Sequence, residues 1–164
     1  MAGLTVPNLV ICKVGGNGMV SFSAECDGVH LIADVFGYFA PTGSRVRTVS
    51  PLRLLDTRNG TGAPQQPVGP GNPVTLQVAG RGTIPSLARA VVLNVTATQA
   101  TATSFVTVWP TGSAAPGTSN LNLLPGGTVA NLVITKLGPS GTVDLANAFG
   151  DTHLIADVTG YFVD

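Results

Sequence analysis

Asp56-Thr57-Arg58 is the densest group of chemically capable side chains in a chain that carries little charge. A carboxylate and a guanidinium at this spacing could hold a sugar hydroxyl or a small carboxylate. The same residues could equally serve the fold, with Asp56 capping a turn and Arg58 buried against Asp157 or its counterpart Asp34. The two histidines, His30 and His153, each precede one of those aspartates by four residues. On a strand such side chains share a face but lie about 13 Å apart along its axis, too far for a His–Asp dyad. No serine stands in a nucleophile-elbow context that would supply a triad. Trp109, the single tryptophan, could stack on a sugar ring at a strand end or plug the core. Asp27, Asp144 and Asp151 do not cluster as a calcium loop would, and no two acids form a glycosidase pair. Trp109, Asp56 and Arg58 are therefore the ligand-binding candidates. No catalytic residue, cofactor or metal site is expected.

The elements that must position these groups follow from composition. The chain has 164 residues, enough for one domain or two small ones. Eight Lys and Arg balance eight Asp and Glu, so only 10% of residues are charged, against about 25% in an ordinary protein. That excludes nucleic acid as a partner, because phosphate recognition needs clustered basic side chains. At 44% hydrophobic residues the chain can bury a core, and none of its apolar runs approaches the ~20 residues of a membrane span. Twenty-one glycines and 12 prolines among many Val and Thr describe short strands and tight turns. The first residues show neither the basic nor the apolar region of a signal peptide.

An internal repeat organises the chain. Residues 5–39, TVPNLVICKVGGNGMVSFSAECDGVHLIADVFGYF, match residues 128–162, TVANLVITKLGPSGTVDLANAFGDTHLIADVTGYF, at a constant offset of 123 with 19 of 35 identities. Residues 1–44 thus read as the C-terminal third of a preceding repeat, and 45–164 as one nearly complete repeat. A weaker echo over 88–124 suggests two meanders of some 40 residues in each full unit. Cys12 and Cys26 fit no zinc spacing, and the second copy has Thr135 and Phe149 at their positions. That both departures are cysteines points to a Cys12–Cys26 disulfide, contributing roughly 3 kcal/mol in the chain-entropy model.

Period-2 alternation and turn punctuation predict strands at 8–14, 18–24, 29–39, 52–57, 74–79, 89–98, 104–109, 119–124, 130–137, 141–146 and 152–163. Arg45 to Ser50 is a linker or an edge strand. Gly15–Gly18 and Gly138–Gly141 read as hairpin loops. The expected fold is an all-β antiparallel sandwich with meander or Greek-key connections, a prism of three meanders being the alternative. Residues 5–41 have too little sequence to fold alone, so their three strands should pack onto the main unit as one physical domain. In a tandem array that arrangement would give a continuous rod.

PLRLLDTRNGTG (51–62), AVVLNVTATQATATSFVTVWP (90–110), SNLNLLPGGTVANLVITKLG (119–138) and HLIADVTGYF (153–162) resemble a repeat of large secreted or surface-exposed actinobacterial proteins. The resemblance covers essentially the whole chain. It implies an extracellular or cell-surface module found in tandem or beside peptidase and hydrolase domains, with no activity of its own. The expected function is a non-enzymatic structural or adhesive repeat whose partners are neighbouring repeats or domains of the same chain. The alternative is a carbohydrate-binding module that holds a secreted hydrolase on a cell-wall or extracellular polysaccharide.

Overall fold

The computed structural model describes residues 3–25 and 28–164. Eight strands form between Arg45 and Val163: β1 (Arg45–Asp56), β2 (Val74–Gln77), β3 (Ala90–Thr98), β4 (Ser104–Pro110), β5 (Leu121–Leu123), β6 (Thr128–Lys136), β7 (Thr142–Asn147) and β8 (His153–Val163). They build two four-stranded antiparallel sheets, ordered β1-β8-β3-β6 and β2-β7-β4-β5. The protein is an all-β sandwich. The core lies between the sheets, and β3 shows how the sequence specifies it. Val91, Leu93, Val95 and Ala97 are buried, while the residues between them are half-exposed. Leu76, Val106, Leu121 and Leu145 meet them from the second sheet.

The connections are not meanders. β1 pairs with β8, β2 with β7, β3 with β6, and β4 with β5. These pairs nest like one long hairpin, and β8–β3 and β7–β4 contacts join them side by side into two sheets. That is the jelly roll, and it leaves no place for a three-sheet prism. Only β4 and β5 are both consecutive and hydrogen-bonded. The Gly138–Gly141 turn therefore carries the chain from one sheet to the other and closes no hairpin. Gly141 turns there with φ +74°, and a Cβ on it would run into the Ala79 side chain. Arg45–Ser50 is the edge half of β1, with Pro51 at a register break where its missing N–H costs no ladder bond.

The N-terminal strands are the main correction. Among the described residues before Arg45 no strand forms, although the Gly15–Gly18 turn closes with the Gly18 N–H donating to the Gly15 carbonyl. The segment does not pack onto the body as three strands. It touches the body through Phe39, whose ring centre lies 6.2 Å from that of Phe162, and through the Thr5 carbonyl, which accepts a bond from Asn122. The physical reason lies in the nesting. β6, β7 and β8 never pair with each other; each needs a partner from the first half of the unit. Those partners are already taken by residues 128–163, so the first copy finds no free strand in the body.

Candidate functional site

β1 ends with two inward leucines, Leu54 and Leu55, at a second register break beside β8. Arg53 faces outward opposite Asp157, and this break brings Asp56 onto the same outer face, opposite Ile155. The chain then folds back on itself. The Asp56 N–H donates to the Thr61 carbonyl, the Thr61 N–H returns to the Asp56 carbonyl, and Asn59 Oδ1 accepts from the Thr61 N–H and hydroxyl. Gly62 completes the return at φ +71°, where a Cβ would strike the Leu54 carbonyl oxygen.

Asp56 is 1% exposed and receives four donors. Its Oδ1 accepts from the Arg58 N–H at 3.1 Å and from Arg58 Nε at 2.9 Å. Its Oδ2 accepts from Arg58 Nη2 at 2.7 Å and from Arg53 Nη1 at 3.3 Å. The Arg58 fork, more than any other contact, holds the carboxyl down at about 2, against an ordinary 3.8. Arg53 grips Asp157 in a second fork, Nε to Oδ1 at 2.8 Å and Nη2 to Oδ2 at 3.0 Å. Both arginine side chains remain about 45% exposed. One step along β8, the buried Thr57 hydroxyl accepts from the Leu154 N–H at 3.0 Å and lies 2.9 Å from His153 Nδ1.

The sequence expectation for Arg58 is thus half right in kind and wrong in partner. It is ion-paired, but with Asp56 two residues away, and it is not largely buried. The partner of Asp157 is Arg53, because the register places those two side chains directly opposite each other. Asp34 is exposed and forms no ion pair among the described residues. His153 contacts Thr57 and not Asp157. Cys12 is exposed, and the disulfide expected for it rests on Cys26, which lies outside the described residues.

Trp109 is not a stacking platform. Its register places it beside Asp144 on the outer face of the second sheet, yet it is only 7% exposed. The following loop is tied back over this face, with the Thr111 hydroxyl donating to Asp144 and the Thr107 hydroxyl to the Thr118 carbonyl. Two surface clefts, of about 420 and 250 Å3, are lined by Pro41–Gly43, Arg45 and Asp164 and by Ser86–Arg89 with Leu137–Pro139 and Gly141. None of Trp109, Asp56 and Arg58 lines either. Among the described residues no three His, Cys, Asp or Glu side chains gather as a metal-binding group.

Two buried asparagines were not singled out as important by pattern alone. Asn147 Nδ2 donates to the carbonyls of Val68, Phe149 and Gly150, while its Oδ1 accepts from the Ser104 hydroxyl at 2.6 Å. Asn120 Oδ1 accepts from the Val108 N–H at 2.7 Å. A polar side chain at an inward strand position is the signal that could have marked Asn147. No protein-family model matches the chain, and no curated protein matches it.

Proposed function

We propose that this chain is a non-enzymatic structural or adhesive repeat module of a longer surface or secreted actinobacterial protein, with neighbouring repeats or domains as its partners. One observation carries the reading. The side chains best suited to chemistry are committed to the fold: all the acceptor positions of Asp56 are filled from within the chain, and Trp109 is covered. A carboxylate held near 2 and already bound by two guanidinium groups is a poor base at neutral pH. It has no lone pair left for a sugar hydroxyl.

The geometry changes how such a module would sit in an array. Arg45 opens β1 directly opposite Val163, which closes β8. Entry to and exit from the unit are therefore side by side, so repeats would project from the chain path as pendant bodies. A continuous rod would need its ends at opposite poles. Pendant presentation favours display and adhesion over spacing.

The carbohydrate-binding reading draws support from the fold, which lectin domains share, and from the half-exposed guanidinium of Arg58. Sedimentation of the full chain with cellulose, chitin and peptidoglycan separates the two. The structural reading expects the protein in the supernatant. Saturable retention that Arg58→Ala abolishes while the melting transition persists overturns it in favour of a polysaccharide site.

A further inference from the structure

The first copy of the repeated segment is exposed where the second is buried. Leu31 and Val35 are 60% and 91% exposed, whereas their counterparts Leu154 and Val158 are both 0% exposed. Val10 and Val20 stand open in the same way, against buried Val133 and Val143. A chain with these residues in water retains a strong drive to cover them. The chain holds two sets of β6-β7-β8 sequence but one set of β1–β5 sequence, residues 45–123. The nested pairing makes the first kind a donor of strands and the second an acceptor.

We infer that residues 5–13, 19–24 and 30–40 are a strand donor for an acceptor built like residues 45–123, entering it in the places of β6, β7 and β8. The inference rests on the repeat-module reading and names the partner that reading requires. Side-chain matching supports it. The inward positions Val133, Val143, Leu154, Ala156 and Val158 are filled by the same residue types, Val10, Val20, Leu31, Ala33 and Val35. Asp34 would meet Arg53 as Asp157 does, and His30 would meet Thr57 as His153 does.

Chain connectivity supports it independently. Offset matching puts Ala40 in the place of Val163, which pairs with Arg45. Pro41–Ser44 would then be the loop of a β8–β1 hairpin, and its turn is already closed by the Gly43 N–H donating to the Ala40 carbonyl at 3.1 Å. The acceptor of this chain is thus within reach of either donor, and docking of the first yields a circular permutation of the same jelly roll.

Two positions explain why the second donor holds the site. Asn147, with its bonds to Val68, Phe149, Gly150 and Ser104, is matched by Ala24, which can make none of them. Leu145 is matched by the larger Phe22, which overfills a close-packed slot.

The test uses the full chain with the second donor disabled by Leu154→Asp and Val158→Asp. Cooperative melting should survive, with amide-exchange protection transferred from 128–162 to the three N-terminal segments. Adding Leu31→Asp and Val35→Asp should abolish the transition. Ala24 is exposed in the parent, so Ala24→Asn should be neutral there but should raise the melting temperature of the exchanged form. If the β8 double variant is as unfolded as the quadruple variant, or folds with its protection still in 128–162, the inference is wrong. Either failure would leave the sedimentation result, and the module reading it tests, untouched.

Discussion

Asp56 is the residue whose environment makes the clearest demand on solution behaviour. Its carboxyl titrates at about 2 in the folded protein and near 3.8 when unfolded, so the unfolded chain binds a proton first as acid is added. The stabilisation this provides, about 2 kcal/mol, is complete above the ordinary carboxylate range and drains away as pH falls toward 2. Urea midpoints at pH 7, 4 and 2 should show the loss between the last two. Asp56→Asn should be less stable at pH 7 and should lose less across that window. An equal acid dependence in both proteins would place the effect elsewhere. Arg58 supplies the fork, but half of its side chain is in water and Arg53 still reaches Asp56 when it is removed. The Arg58 N–H bond also survives substitution. Arg58→Ala should therefore lower the urea midpoint measurably, but by less than removal of a fully buried partner would. Arg58→Lys should recover only part, because an ammonium cannot fork onto both carboxylate oxygens.

Strand β1 carries both the polar cluster and one edge of the sandwich. Its partner β8 runs antiparallel, with Arg45 against Val163 at one end and Asp56 against Ile155 at the other. Force applied through residues 45 and 163 peels this ladder one bond at a time. Force applied through residues 45 and 153 loads the bonds together in shear. Single-molecule pulling should therefore rupture the first geometry at clearly lower force than the second. Equal forces would mean that another strand pair limits mechanical unfolding. Strands were legible in the body because alternation is a local signal, as β3 shows with four inward apolar residues at every second position. The same signal failed over residues 8–39, where alternation is equally clear and no ladder forms among the described residues. Alternation reports that a strand would have an apolar face; it does not report whether a partner strand is free.

At the scale of the molecule, residues 45–164 contain both halves of every nested strand pair. The expectation that residues 1–44 complete the core was for three strands, and no strand forms among the described residues of that segment. Deleting residues 1–44 should leave a monomer whose melting temperature lies within about 4 °C of the parent, the shift that about 1 kcal/mol would produce in a domain of this size. It should also raise solubility, since the deleted segment exposes Val6, Ile32, Val35 and Tyr38. A deletion protein that aggregates or melts far lower would show that the N-terminal segment supports the sandwich after all.

The repeat, the low charge and the alternating strands needed no coordinates, because each is a property of neighbouring residues or of two stretches of one sequence. They determined the all-β class and the repeat boundary at residue 45. They also drew attention to Asp56 and Arg58, though not to who pairs with whom. Arg53 rather than Arg58 meets Asp157 because the β1–β8 register sets residues 53 and 157 opposite each other, while Arg58 lies past the strand end. The break near Leu54 then brings Asp56 onto the face of Arg53, since a shift of one residue turns a side chain to the other face. Trp109 is only 7% exposed although alternation places it on the outer face of its strand, and burial of an outer face is not a property of the strand alone. The jelly-roll order was likewise beyond local reading, since β1 meets β8 across the whole length of the unit. The unequal fate of two nearly matching segments was the last thing only the tertiary structure decided. Residues 128–162 are strands because their partners are free to pair with them, and residues 5–39 are not because those partners are already taken.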